Sequence, residues 1–317
     1  MGFSKYILEI SDLKKVYKKG QQSVLANDGV SLKLKPREVV GIVGENGSGK
    51  TTLLNQVMGL ISSTSGTIKF SSTNRTPRDI GYMSQYRVDV FEHLTLKEAL
   101  FYASKFKKLS KKESQDIMND LIGFFDLDSY LGRMVSTLSG GYRQILDFCI
   151  AVLGTSSLLI LDEPLNNLDP VFKKKIISYL NKNLDKLKLA TIIVSHNLEE
   201  IESIVERVVI FKKGKIIENC TPQEAKLKYD RFLYFVVNSP DSSTLKKLEV
   251  FSKENKCEIL KDINKIIVKI SFDLSKNLWQ FLSSASGIDI NNTNFKIQTG
   301  TLENVYLNIF DKKMETA

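Results

Sequence analysis

The chain has few of the side chains that build disulfide frameworks or cysteine and histidine metal centres. Its 317 residues include three cysteines, Cys149, Cys220 and Cys257, and two histidines, His93 and His196. The cysteines are far apart, odd in number and without metal-ligand spacing. This fits a reducing cytoplasm, where they are buried or incidental thiols. The N-terminus lacks the apolar core of a signal peptide, and Tyr6 stands where a myristoylation motif needs Ser or Thr. No hydrophobic run is long enough to be read as a span. The most apolar stretch, 145–161, carries Asp147 and contains Gly154-Thr155-Ser156-Ser157, so it reads as a helix, a turn and a buried strand. If the protein works at a membrane, another chain is expected to supply the spanning part. Internal repeats and low-complexity segments are absent. The formal charge of +9 comes mostly from Lys. Solvated helix faces account for most of it, with attraction to an anionic membrane surface or to nucleic acid as the alternative.

What is present centres on Gly44-Glu45-Asn46-Gly47-Ser48-Gly49-Lys50-Thr51, which reads G-x-x-x-x-G-K-[ST]. The apolar run 39–43 before it suits a buried strand, and 52–58 after it has helical spacing, beginning at Thr52. Strand, glycine turn and helix aim backbone N–H groups and a helix N-terminus at one point, which suits a phosphate chain. Lys50 is expected to reach β- and γ-phosphates, and the Thr51 hydroxyl to sit on Mg²⁺.

Around this loop the pattern is α/β. Residues 7–17 and 24–34 read as antiparallel strands with Asn27-Asp28-Gly29 as turn chemistry. Ser65-Gly66 reads as a turn before a strand at 67–70, and 80–83 as a further strand. Residues 94–153 are helical in pattern, with a lysine-rich connection at 105–112 that reads as a solvated face or a partner-binding patch. Continuous apolar strands at 158–161 and 190–194 flank a helix at 170–187. A helix near 198–205 and strands at 208–211 and 216–218 follow. Composition changes after Thr221-Pro222. The tail reads strand, helix, strand, strand, helix, strand and final helix, a small βαββαβ unit with an added helix. The expected organisation is a nucleotide-binding domain at 1–221, with a helical subdomain at about 86–153, and an accessory α+β domain at 222–317.

Other motifs follow the loop. Leu161-Asp162-Glu163-Pro164 ends the buried strand. There Asp162 can hold Mg²⁺ and Glu163 can polarise an attacking water; two acids ending a strand in a turn is the plainer reading. Leu138-Ser139-Gly140-Gly141-Tyr142-Arg143-Gln144 opens a helix and is either a second anion site or an ordinary N-cap. Leu-Ser-Gly-Gly-x-x-Gln between a phosphate loop and an Asp-Glu-Pro strand resembles the signature of ATP-binding cassette (ABC) ATPases, and the resemblance covers residues 7 to about 220. It implies a P-loop ABC fold with a mixed sheet and a helical subdomain. It also implies ATP and Mg²⁺ as ligands, and head-to-tail pairing that puts Ser139, Gly140 and Gly141 of one cassette on the other's ATP. Gln85 matches the family's glutamine loop, which meets Mg²⁺ and the attacking water. His196, in Val194-Ser195-His196-Asn197, matches its switch histidine, and His93 is left as a surface or packing residue. Tyr17 resembles the aromatic that stacks on adenine. Asn167-Leu168-Asp169 resembles the loop that crosses the dimer interface, with Asp169 as its carboxylate. Asn167 stands where the family more often has a small residue, and Arg37 where it usually has glycine.

The resemblance implies ATP hydrolysis in a closed dimer, of two identical cassettes or two related ones, coupled to a separate transmembrane permease at the inner face of the cell membrane. No nucleic acid partner is expected. The segments 92–96 and 300–307 resemble exporter ATPases that handle drugs, antimicrobial peptides and lipids or polysaccharides. An importer ATPase, or a soluble non-transport ABC ATPase, is the alternative.

Overall fold

Alternating side chains at the front of the sequence and continuous apolar runs behind them produce two kinds of sheet. In the computed structural model, residues 5–20, 22–71, 79–85, 90–166, 168–187, 189–196, 198–230, 232–262, 264–283 and 294–310 are described. The chain divides into two units, Met1–Thr221 and Pro222–Ala317. The first contains β1 (Leu8–Lys19), β2 (Gln22–Leu34), β3 (Val39–Gly44), α1 (Lys50–Val57), β4 (Ser65–Phe70), β5 (Ile80–Met83), α2 (Leu96–Phe106), α3 (Lys111–Phe125), α4 (Gly140–Val152), β6 (Leu158–Asp162), α5 (Pro170–Leu187), β7 (Ala190–Val194), α6 (Leu198–Glu202), β8 (Arg207–Lys212) and β9 (Lys215–Cys220). The second contains α7 (Pro222–Tyr229), β10 (Phe232–Asn238), α8 (Ser242–Asn255), β11 (Glu258–Asp262), β12 (Lys265–Ser271), α9 (Ser275–Ser283), β13 (Phe295–Thr299) and α10 (Leu302–Phe310).

In the first unit an antiparallel sheet has the order β2-β1-β4, and a second sheet the order β5-β6-β7-β3-β8-β9. The second is parallel from β5 to β8, with β9 antiparallel at its edge. β3, β6 and β7 are buried along their whole length, which is why they lack polar alternation. One core joins Leu8, Leu32 and Leu34 of the antiparallel sheet to Ile42, Leu54, Ile160 and Ile192. Helices α2 and α3 each begin with a capping box, Thr95 with Glu98 and Ser110 with Glu113. Phe125, Phe148 and Tyr179 pack edge to face or tilted and tie α3 and α4 to α5.

Three local expectations are corrected. Asn27-Asp28-Gly29 makes no turn. β2 runs through it, and the register passes from Leu13↔Val30 to Lys15↔Asn27, a bulge that absorbs the extra residue. Ser65-Gly66 lies inside β4, with Ser65 opposite Lys14. α6 stops at Glu202. In the second unit the sheet order β11-β12-β10-β13 is wholly antiparallel. It is the βαββαβ arrangement, its core formed by Phe235, Val237, Leu248, Val268, Ile270 and Leu278. Helix α7 was not read from the sequence; it packs with α10, where Asn308 Nδ2 donates to the Tyr229 carbonyl at 2.7 Å.

Candidate functional site

β3 sits between β7 and β8 and delivers its C-terminal end to the glycine loop, with α1 leaving directly behind. The turn forces the chain through a left-handed residue at Gly49, with φ of 105°. A Cβ there would lie 2.2 Å from the Ala26 carbonyl oxygen, so both the angle and the space demand glycine. Lys50 is buried and folds back, its Nζ donating to the carbonyls of Gly44 at 2.7 Å and Glu45 at 3.0 Å. Burial holds its pKa below the usual lysine range, against the pull of Glu163 and Asp162. A cavity of about 600 Å³ opens over the loop, lined by Asn46, Gly47, Gly49, Lys50, Thr51 and Thr52 together with Gln85, Asp162 and Glu163. Gly44, Glu45 and Ser48 do not line it. Ser48 Oγ is buried without a hydrogen-bond partner.

Asp162 ends β6, and its carboxyl is pushed up to about 6, by burial first and then by the Glu163 carboxylate, with Lys50 opposing. Glu163 takes a left-handed backbone, φ 54°, and its N–H bonds to the Val194 carbonyl at 2.9 Å. Its carboxylate is buried, with Oε2 2.7 Å from His196 Nδ1. Thr51, Gln85 and Asp162 offer a hydroxyl, a carboxamide and a carboxylate to one cavity. That set of hard oxygen donors fits Mg²⁺.

The remaining sequence-derived residues are distributed less simply. His196 lines no cavity at the loop and instead contacts Glu163. Ser139 caps α4, accepting from the Tyr142 N–H at 3.5 Å. Gly140 lines a separate cavity of about 210 Å³ with Gln85, Gln144 and Glu163. A Cβ on Gly141 would lie 2.6 Å from the Phe172 ring, so its glycine has a packing reason. Asp169 caps α5, its Oδ1 accepting from the N–H groups of Val171 and Phe172. Tyr17 is about half exposed, pairs across the sheet with Val24, which does line the nucleotide-sized cavity, and has Lys15 Nζ 5.1 Å from its ring. Asn167 lies outside the described residues.

Three residues of the site, Asn27, Lys213 and Gly214, were not read as such from the sequence. Fully buried Asn27 accepts from Gln56 Nε2 at 2.7 Å and donates to the Gly49 carbonyl at 3.1 Å, so it braces the loop from β2. Lys213 and Gly214 of the β8–β9 turn form part of the cavity wall, and the Gly214 N–H bonds to the Ser48 carbonyl at 2.9 Å. A further groove of about 550 Å³ lies beside β5, lined by Leu60, Met83, Val90, Phe91, Phe106, Asp147 and Ile150, among others. No helix among the described residues is long and apolar enough to cross a membrane.

Residues 27–166 match the family described as ABC transporter. A sulfate/thiosulfate import ATP-binding protein from Cucumis sativus is 33% identical over 226 residues, which cover 68% of this chain and 63% of that relative. This chain therefore spans less than two thirds of that protein. An uncharacterized ABC transporter ATP-binding protein of Bacillus subtilis is 29% identical over 308 residues, covering 96% of this chain and 99% of its own length. The solved ATP-binding subunit of an ABC transporter superposes with a TM-score of 0.63 at 26% identity, over 70% of this chain and 93% of that one. A glycine loop, an Asp-Glu strand end and a Ser-Gly-Gly helix start stand together in one mixed α/β unit, and over residues 27–166 that unit matches the ABC transporter family.

Proposed function

We propose that this chain hydrolyses Mg²⁺-ATP and that hydrolysis drives a separate membrane-spanning permease. The observation that carries the reading is the Glu163 carboxylate, buried at the lip of the loop cavity and bonded to His196. Loop backbone amides and Lys50 hold the phosphates. Mg²⁺, held by Thr51, Gln85 and Asp162, would supply charge neutralisation at the phosphate oxygens. Glu163 takes the proton from the water that attacks the γ-phosphorus in line, and His196 holds that carboxylate in place. Tyr17 is the residue offered to the adenine ring. Ser139, Gly140 and Gly141 of a second cassette, identical or related, complete the site, and Asp169 lies at that interface; a dimeric cassette is known among proteins of this fold. The apolar groove beside Gln85 is the docking place of the permease, at the inner face of the cell membrane.

Glu163→Gln tests the chemistry. It should leave ATP affinity within about threefold and lower turnover by at least about 100-fold. Turnover near the wild-type rate would remove Glu163 from the role of base.

The transport direction we propose is export. It is supported by the likeness of 300–307 to exporter ATPases and by an accessory domain that is an open four-stranded sheet, where an importer's regulatory tail would usually be a small β-barrel. Burial of Leu302 and Val305 shows that part of this likeness serves packing. The import reading is favoured by the name of the sulfate/thiosulfate relative, whose match covers 68% of this chain. ATP-driven flux in vesicles carrying the copurified permease separates the two, by whether substrate moves with or against the ATP-binding side.

A further inference from the structure

The second unit has an open sheet edge that ATP hydrolysis does not use. β11 is the terminal strand of the order β11-β12-β10-β13, and among the described residues it pairs on one side only, with β12. Beside it lies a groove of about 840 Å³, walled by Lys246, Val250 and Lys253 of α8 and by Cys257, Ile259 and Lys261. Periodicity builds both walls. Positions 246, 250 and 253 share one face of a helix, and 257, 259 and 261 share one face of a strand. The groove is thus a trough between the flank of α8 and the rim of the sheet.

Its charge is one-sided. Lys246, Lys253 and Lys256 are exposed and have no ion-pair partner among the described residues. Lys261 pairs with Glu249 at 2.6 Å, which uses the one acidic residue of the lining. Val250 is 55% exposed and places an apolar side chain between the two lysines of the helix wall.

We propose that this trough docks an extended acidic segment of another polypeptide, which joins the sheet as a strand beside β11. Strand addition satisfies the outward backbone groups of an edge, while alternate side chains supply the choice of partner. Side chains of the added strand that point toward α8 meet Lys246, Val250 and Lys253. They are therefore acidic residues with an apolar one between them. A second copy of this chain fits poorly, because pairing β11 with its own equivalent brings two lysine sets together. A bilayer fits poorly too, since it is flat and a trough is concave.

The test uses the full chain and a fluorescently labelled, N-acetylated peptide Thr-Glu-Thr-Val-Thr-Glu-Thr, whose one strand face carries Glu, Val and Glu, at about 50 mM salt so that charge attraction is only partly screened. Saturable binding is expected, with slowed hydrogen exchange at the amides of Glu258–Asp262. Lys246→Glu/Lys253→Glu should weaken it by at least about tenfold. The same peptide N-methylated at alternate residues keeps its charge, loses strand pairing and should not bind. ATP hydrolysis by the double variant stays at the wild-type rate, so this result is separable from the reading of the nucleotide site. Equal binding of the N-methylated peptide, or undiminished binding by the variant, overturns the proposal. So does protection of those amides by self-association of the chain alone, which would assign the edge to a second copy.

Discussion

Left-handed backbone at a non-glycine residue costs about 1–2 kcal/mol, so each instance asks for a reason. At Glu163 the reason is placement: the turned backbone leaves the carboxylate between the loop cavity and His196. At Arg37 it is turn geometry alone. Pro36 precedes it, φ is 66°, and the Glu38 N–H closes on the Lys35 carbonyl at 3.3 Å, the pattern of a type II turn that prefers glycine at this position. Asp230 is a third kind of exception, a buried carboxyl in the second unit to which Tyr234 donates at 3.3 Å. Burial raises its pKa more than the hydrogen bonds from Asn304 and Tyr234 lower it. The folded chain therefore keeps a proton that the unfolded chain has lost. The stability this contributes is present in full below the ordinary aspartate pKa and disappears as pH rises through the raised value. Asp230→Asn should therefore gain on the wild type in urea midpoint as pH rises above the ordinary aspartate pKa, and a difference constant with pH would show that Asp230 does not titrate there. The same scale explains what could be read in advance. Lys50, Asp162 and Glu163 stand in contiguous motifs whose chemistry is local. Asn27 and Lys213 come from distant segments, and only the β2 bulge and the β8–β9 turn bring them to the loop.

At the scale of elements, one side chain locks several strands together. Arg207 opens β8 opposite Val40 of the nucleotide strand. Its Nε donates to Glu38 at 2.7 Å, one terminal nitrogen to Asn219 of β9 at 2.6 Å, and the other to the Lys33 carbonyl of β2 at 2.7 Å. The other Glu38 oxygen accepts from the Lys35 N–H at 2.8 Å. Removing the guanidinium leaves a buried carboxylate without its cation. Breaking a fully buried pair costs about 3–5 kcal/mol, and the partial exposure of Arg207 reduces that to about 2 kcal/mol for Arg207→Ala. Chemical denaturation measures it, and a loss below about 0.5 kcal/mol, the usual range of surface substitutions, would show that the network holds nothing. Strands such as β6 and β7 were legible because burial on both sides leaves near-continuous apolar runs, 158–161 and 192–194. The bulge in β2 was not, since Asn-Asp-Gly carries the same chemistry whether it turns a chain or offsets a strand. α7 was missed because burial reaches only Pro222 and Ala225, too few for a stripe. Its signals lay at the ends, Pro at the first turn and Lys226 and Lys228 in the last.

For the whole molecule, nucleotide chemistry has to leave the site through a surface. Gln85 lines the loop cavity, and Met83, two residues earlier, lines the apolar groove beside β5. That groove gathers segments far apart in sequence: Leu60 after α1, Val90 before α2, Phe106 at the end of α2 and Ile150 in α4. Leu60, Val90 and Phe106 are 68%, 66% and 67% exposed. Single exposed apolar residues are ordinary, but three around one concavity mark a surface meant to be covered. The occupant required by the proposed function is a cytoplasmic segment of the permease, packed where a change at Gln85 is felt through β5. On the proposed function, the transported substrate is not legible in the chain because its contacts would belong to the permease. Phe106→Asp places a charge in that contact without touching the loop, the carboxylates or the buried core. Copurification of the permease should fall at least about tenfold, the effect of truncating a central apolar anchor at an interface. ATP affinity and unstimulated hydrolysis by the isolated chain should stay within about twofold, as for a surface substitution remote from the site. Retention of the permease at wild-type levels would place the docking surface elsewhere, whereas a parallel loss of nucleotide binding would mean that Phe106 supports the cassette itself.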